Sequence, residues 1–260
     1  MKMNTLVAGL ALAAALTTPI SAMAETVKPT IVLVHGAFAD STSWNGVIKI
    51  LEKDGYTVIA AANPLRSLKG DAQSVTDVLK GVGSPVVLVG HSYGGPVISE
   101  AAYGQTNVKA LVYVAAFAPE KGESAFALTG KFPGSSLGPT LAKPVELADG
   151  GKDFYIQQDK FHDQFAADVP NADARLMAAT QRPVTEAALK EEASDPAWKT
   201  IPSWWVYGDK DKNIPPQAMK FMAERANAKQ TVVVKGASHV VMVSHPKAVA
   251  DLIETAAKAL

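Results

Sequence analysis

Hydrophobic and polar positions along the chain follow two alternating patterns from Thr30 onward. Short apolar, β-branched runs occur at Thr30–Val34, Thr57–Ala61, Val86–Val89, Val108–Ala115, Ser203–Tyr207 and Thr231–Val234. They lack a period of two, as expected for strands buried on both faces of a parallel sheet. Between them, apolar residues recurring every three or four positions predict helices over Trp44–Lys53, Asp71–Lys80, Gly95–Tyr103, Pro216–Ala226 and Pro246–Leu260. The last places Val249, Leu252, Ile253, Ala256 and Leu260 along one stripe, which is an amphipathic helix laid on a core. Repeated strand–helix alternation predicts an α/β fold with a mostly parallel sheet flanked by helices.

The alternation stops between Ala118 and Ile201. That stretch opens with a Gly/Pro/Ser-rich loop, Gly130–Ser136, and continues with helical pieces around Phe154–Phe165, Ala172–Thr180 and Thr185–Ser194. No central strand is predicted there. The reading is a core formed by 25–117 and 202–260, interrupted by a helical cap or lid over 118–201. Such an insertion covers the carboxyl ends of the strands, where ligands bind in open α/β sheets.

Residues 1–24 form a separate object. Lys2 precedes the uncharged apolar run Leu6–Leu16, and Ala22-Met23-Ala24 supplies small residues before a cleavage point. This pattern predicts a secretory signal peptide cut after Ala24, and hence a periplasmic or secreted protein. The run ends at Thr17, Thr18 and Pro19, short of the roughly 20 residues needed to span a bilayer, so no stable membrane anchor is expected. The chain has no cysteine, which excludes disulfides, a thiol nucleophile and thiolate metal sites. Its 25 basic and 25 acidic side chains balance, leaving no electrostatic footprint for nucleic acid. The expected partner is a small-molecule substrate, bound by a monomer or homodimer.

Chemistry concentrates at Gly90-His91-Ser92-Tyr93-Gly94-Gly95, directly after one predicted strand and before a predicted helix. This is the G-x-S-x-G nucleophile elbow in its strand–turn–helix setting. The sharp turn lifts the Ser92 hydroxyl to a helix N-terminus, where backbone N–H groups stabilise developing negative charge. A serine nucleophile needs a base and an acid that orients the base. Of the five histidines, His35 and His91 flank glycines at strand ends and read as braces. His162 lies in the cap and His245 at a helix start. His239, in the loop after Thr231–Val234, is the base. The loop Tyr207–Pro215 offers two aspartates; Asp211 is favoured over Asp209, which sits so early in the turn that it caps it. The second oxyanion donor, beside the Tyr93 N–H, is expected from the loop His35-Gly36-Ala37-Phe38, at Ala37. His162, Asp159 and Asp163 have no recognised metal-ligand spacing.

At these residues the chain resembles the α/β-hydrolase superfamily over nearly all of Thr30–Leu260. The segments Val34–Trp44 and Ala116–Ser124 are similar to small bacterial hydrolases related to plant methyl-salicylate esterases and hydroxynitrile lyases. The resemblance implies Ser92 as nucleophile, Asp211 as acid, His239 as base, and Ala37 and Tyr93 as oxyanion donors, with no cofactor and no metal. It also implies a short, wholly parallel sheet of about six strands, because the family's usual first two strands have no counterpart. Hydroxynitrile lyases of this group carry a lysine after the catalytic histidine, where this chain has Val240. The function expected is hydrolysis of small apolar or aromatic carboxylic esters, with Phe38 and Phe117 on the rim of the substrate site. The alternatives are an amidase, carbamate hydrolase or lactonase with the same triad, with perhydrolase side activity open to it, or a hydrolase-like binding protein with little turnover.

Overall fold

The computed structural model describes Met1 and residues 28–260, so the rest of the expected signal peptide lies outside the described residues. The strands, in chain order, are β1 (Thr30–Val34), β2 (Val58–Ala61), β3 (Val86–His91), β4 (Val108–Val114), β5 (Val145–Glu146), β6 (Lys152–Phe154), β7 (Val184–Thr185), β8 (Ser203–Gly208) and β9 (Gln230–Val234). Six of them form one sheet in the order β2-β1-β3-β4-β8-β9, and every pairing in it is parallel. The expected wholly parallel sheet is what the chain forms. β1, β3 and β8 are buried at every position, which explains their unbroken apolar runs. The edge strands β2 and β9 are partly or largely exposed.

The order of the strands reverses between β1 and β3. Chain connections leave those two strands toward opposite sides, opening a crevice at their carboxyl ends. The loop after β1 and the turn after β3 meet there. Helices α1 (Asn45–Lys53), α2 (Leu68–Lys80) and α3 (Gly94–Ala101) follow the first three strands. α3 is buried along almost its whole length. Its approach depends on Gly95, where a Cβ would lie 2.0 Å from the Phe117 carbonyl oxygen.

The segment between β4 and β8 differs from expectation in one respect. It holds helices α4 (Ala125–Lys131), α5 (Gln158–Phe165), α6 (Asn171–Thr180) and α7 (Glu186–Lys190), but also a three-stranded antiparallel sheet, β5-β6-β7. The all-helical cap is therefore corrected: Phe154 closes β6, and Val184–Thr185 is a strand. These strands are two or three residues long, too short to show any hydrophobic period. The small sheet is tied to the core by Arg66, which pairs with Asp153 at 2.7 Å. Thr185 completes the tie, its N–H donating to Leu65 O and its hydroxyl to Arg66 O.

α8 (Pro216–Arg225), α9 (Val241–Ser244) and α10 (Pro246–Lys258) complete the core. Among the described residues, no helix is long and apolar enough to cross a membrane. At the end of β8, a Cβ on Gly208 would lie 2.0 Å from the Ala237 carbonyl oxygen. Gly208→Ala is expected to force those backbones apart and to cost about 2 kcal/mol, within the usual range for overpacking. Urea unfolding checks this; an unchanged midpoint would show that the two loops are not locked together.

Candidate active site

The turn after β3 holds Ser92 at φ +54°, in the left-handed region that a residue with a side chain adopts only at a cost of about 1–3 kcal/mol. Backbone bonds over-determine that conformation. The Ser92 N–H donates to Val114 O, and the Ser92 carbonyl accepts from Gly95 and Phe117 N–H groups. The surrounding glycines leave no room for a side chain. A Cβ at Gly90 would meet Gly94 O at 2.5 Å, and one at Gly36 would meet the Ser92 Cβ at 2.6 Å.

Three side chains converge on this turn from separate strand ends. The Ser92 hydroxyl donates to His239 Nε2 at 2.9 Å. His239 Nδ1–H donates to Asp211 Oδ2 at 2.7 Å. Asp211 Oδ1 accepts the N–H groups of Asn213 and Ile214, at 2.8 and 2.9 Å. The carboxylate is thus held at both oxygens, and the side chains of His239 and Asp211 are 1% and 0% exposed. Asp209 is used differently, accepting the Gly236 N–H at 2.6 Å, which ties the acid loop to the histidine loop. The structure brings Asp211, not Asp209, against His239, and Asp209 bonds the histidine loop instead of capping its own turn.

The remaining histidines surround the site. His35 Nδ1–H donates to Gly36 O, and its Nε2 accepts the Asn63 N–H. Burial lowers the His35 pKa. His91 Nε2–H donates to the His239 carbonyl at 3.2 Å. Full burial drives the His91 pKa well below the ordinary histidine value, and the neighbouring His239 adds to the shift. Both rings therefore stay neutral and act as struts. His162 donates to or accepts nothing in the site; its Nε2 bonds Val169 O within the cap. His245 lies against Ser244 and Asp168. Among the described residues, no cluster of three or more His, Cys, Asp or Glu side chains is placed to hold a metal.

Ser92 and His239 open onto a cavity of about 350 Å³, in the range of small-molecule sites. Ala37, Tyr93, Phe38 and Phe117 all line it. Neither the Ala37 nor the Tyr93 N–H has a hydrogen-bond partner among the described residues, so both remain available as donors. The cap contributes Leu137, Leu141, Phe154 and Phe165 to the walls, and Ile214 comes from the acid loop. Phe165 packs edge-on against His239 at 5.1 Å between centroids. These cap residues carried no signal in the sequence, because they reach the site only through the tertiary path of the insertion.

These features define an α/β hydrolase with a Ser–His–Asp arrangement under a cap. The chain belongs to the alpha/beta hydrolase family, whose profile matches residues 31–252. It is similar to an alpha/beta hydrolase of Aspergillus novofumigatus, 29% identical over 88% of this chain and 97% of that one. A putative methylesterase 11 of Arabidopsis thaliana is 26% identical over 85% of this chain, which spans 62% of that relative's length. An alpha-hydroxynitrile lyase of Arabidopsis thaliana is 25% identical over 88% of this chain and 97% of that one. Among solved structures, polyneuridine aldehyde esterase has the same fold, with a TM-score of 0.74 at 19% identity, covering 88% of this chain and 99% of that one.

The neutral, buried His91 makes stability depend on pH. The unfolded chain binds a proton at this residue as pH falls through about 6.5, while the folded chain resists until well below. The contribution is present above that value and is lost on acidification, at up to about 1.4 kcal/mol per pH unit. His91→Gln is expected to remove that share of the slope. Urea midpoints of both proteins, taken from about pH 7.5 to about 5.5, measure it; parallel curves would contradict the assignment.

Proposed function

We propose that this protein is a serine esterase that cleaves carboxylic esters of small apolar or aromatic compounds through an acyl-enzyme on Ser92. The observation that carries the reading is the continuous chain Ser92 Oγ–His239–Asp211, at 2.9 and 2.7 Å, opening onto a mainly apolar cavity.

Each step follows from that geometry. His239 Nε2 takes the Ser92 proton as Oγ attacks the ester carbonyl carbon. The carbonyl oxygen gains the negative charge, and the N–H groups of Ala37 and Tyr93 stabilise it. His239, now an imidazolium, is supported by the Asp211 carboxylate, which the two loop N–H groups keep aimed. The imidazolium then protonates the leaving alkoxide as the C–O bond breaks. A water, deprotonated by His239, attacks the acyl carbon and restores Ser92. The chain's own residues supply nucleophile, base, acid and oxyanion donors, so the scheme needs no cofactor.

Esterase relatives support the ester over other acyl substrates. Cyanohydrin cleavage is disfavoured at Val240, which is fully buried and apolar where the lyases resembling this chain carry lysine. Phe38 and Phe117, with the cap's Phe154 and Phe165, form walls suited to an aromatic or branched apolar group.

The test is hydrolysis of p-nitrophenyl esters of increasing acyl length. Ser92→Ala is expected to lower kcat by about 10⁴-fold or more, leaving only the contribution of binding and the oxyanion donors. Full turnover in that variant would sink the scheme. Asp211→Asn is expected to lose on the order of 10³–10⁴-fold, while Asp209→Asn keeps kcat and loses stability only. Comparable kcat losses in the two aspartate variants would reverse their roles.

A further inference from the structure

The oxyanion donor Tyr93 has a second attachment that the reaction does not use directly. Its ring is buried, and its hydroxyl donates to Asp71 Oδ2 at 2.9 Å. Asp71 is itself fully buried in the first turn of α2. Its other oxygen accepts the Arg66 N–H at 3.0 Å. The guanidinium of that arginine reaches Asp153 and the Pro183 carbonyl of the cap.

A buried carboxylate is costly. Here burial raises the Asp71 pKa, opposed by the Arg66 N–H, the Tyr93 hydroxyl and the N-terminal turn of the helix. Apolar packing of a phenylalanine would fill the same volume without that cost. What the carboxylate adds is direction: a charge-assisted hydrogen bond fixes the far end of the tyrosine in distance and angle. The near end of the same residue is the N–H that follows the nucleophile, set between Ser92 at φ +54° and α3. An oxyanion donor displaced by about 1 Å loses much of its effect.

We propose that Asp71 is a positioning residue for the oxyanion hole, fixing the Tyr93 N–H through the Tyr93 side chain. The inference rests on the esterase reading above. It makes the tyrosine hydroxyl, remote from the reacting atoms, part of what stabilises the transition state.

Tyr93→Phe removes the hydroxyl while keeping the ring and the N–H. In the full chain, kcat is expected to fall about fivefold with KM within about twofold. Affinity for a trifluoromethyl ketone, which forms a hemiketal oxyanion on Ser92, should weaken by the same factor. Asp71→Asn should reproduce the loss, and the double variant should be no worse than either single one, because both break one link. Fluorophosphonate titration counts competent Ser92 sites, so misfolded protein does not enter kcat. Wild-type kcat and ketone affinity in titrated Tyr93→Phe would overturn the proposal, as would losses that multiply in the double variant. Should Asp71→Asn not fold, Tyr93→Phe decides alone. A wild-type chain that neither turns over esters nor takes the fluorophosphonate would show that the esterase reading has failed, and this inference with it.

Discussion

The close approach of two backbones at the carboxyl ends of β1 and β3 is the constraint on which the site depends. The loop at Gly36 lies so near the elbow that a Cβ there would overlap the Ser92 Cβ at 2.6 Å. Within the elbow, Gly90 and Gly94 are packed just as tightly. This contact keeps Ser92 in a conformation that isolated peptides avoid. It also brings the Ala37 N–H to the same cavity as the nucleophile. Strain at one residue is tolerated because bonds from β4, α3 and Phe117, at the end of the core segment before the cap, all close on it.

From that fixed point the remaining parts are added with few adjustable joints. Gly208 lets the end of β8 touch Ala237, and Asp209 and Lys210 bond across to the histidine loop. Asp211 and His239 therefore sit on one zipped pair of loops rather than on two independent ones. Neutral His35 and His91 hold the oxyanion loop and the His239 backbone without adding charge beside the imidazolium. Under the esterase proposal, a protonated His91 would oppose the charge that His239 gains, so the burial that keeps it neutral would also serve the chemistry.

Much of this was legible in the sequence, for a physical reason. The central strands are buried on both faces, so their apolar runs are long enough to read, and the elbow's glycines are required by local sterics. In the sequence Asp209 reads as capping its own turn, whereas it accepts the Gly236 N–H from the separate histidine loop, a tertiary contact that nothing local records. Strands β5–β7 left no readable pattern at two or three residues each. Asp71 looked like an ordinary acidic residue near a helix start, and only the tertiary contact with Tyr93 distinguishes it. Phe154 and Phe165 read as generic apolar positions; nothing local records that they face the same cavity.

The division between what was legible and what was not follows the division of labour in the molecule. The groups to which the proposal assigns bond making and breaking sit on turns whose conformation is set by neighbours in the chain, and such turns leave motifs. Groups that shape the cavity come from a long insertion that reaches the core at a few points, including Phe38 to Arg182, Arg66 to Asp153, and Gln164 to Lys212 and Asn213. Some of those joints bear on the loops that carry Ala37 and Asp211, while Lys69, Glu100 and Arg225 also tie the cap to α2, α3 and α8. Cavity walls can then change by substitution within the cap while the reacting atoms keep their spacing, because the anchors and not the walls transmit position to the core. Under the esterase proposal, selectivity is accordingly a property of the walls, and chemical competence a property of the anchors and the elbow.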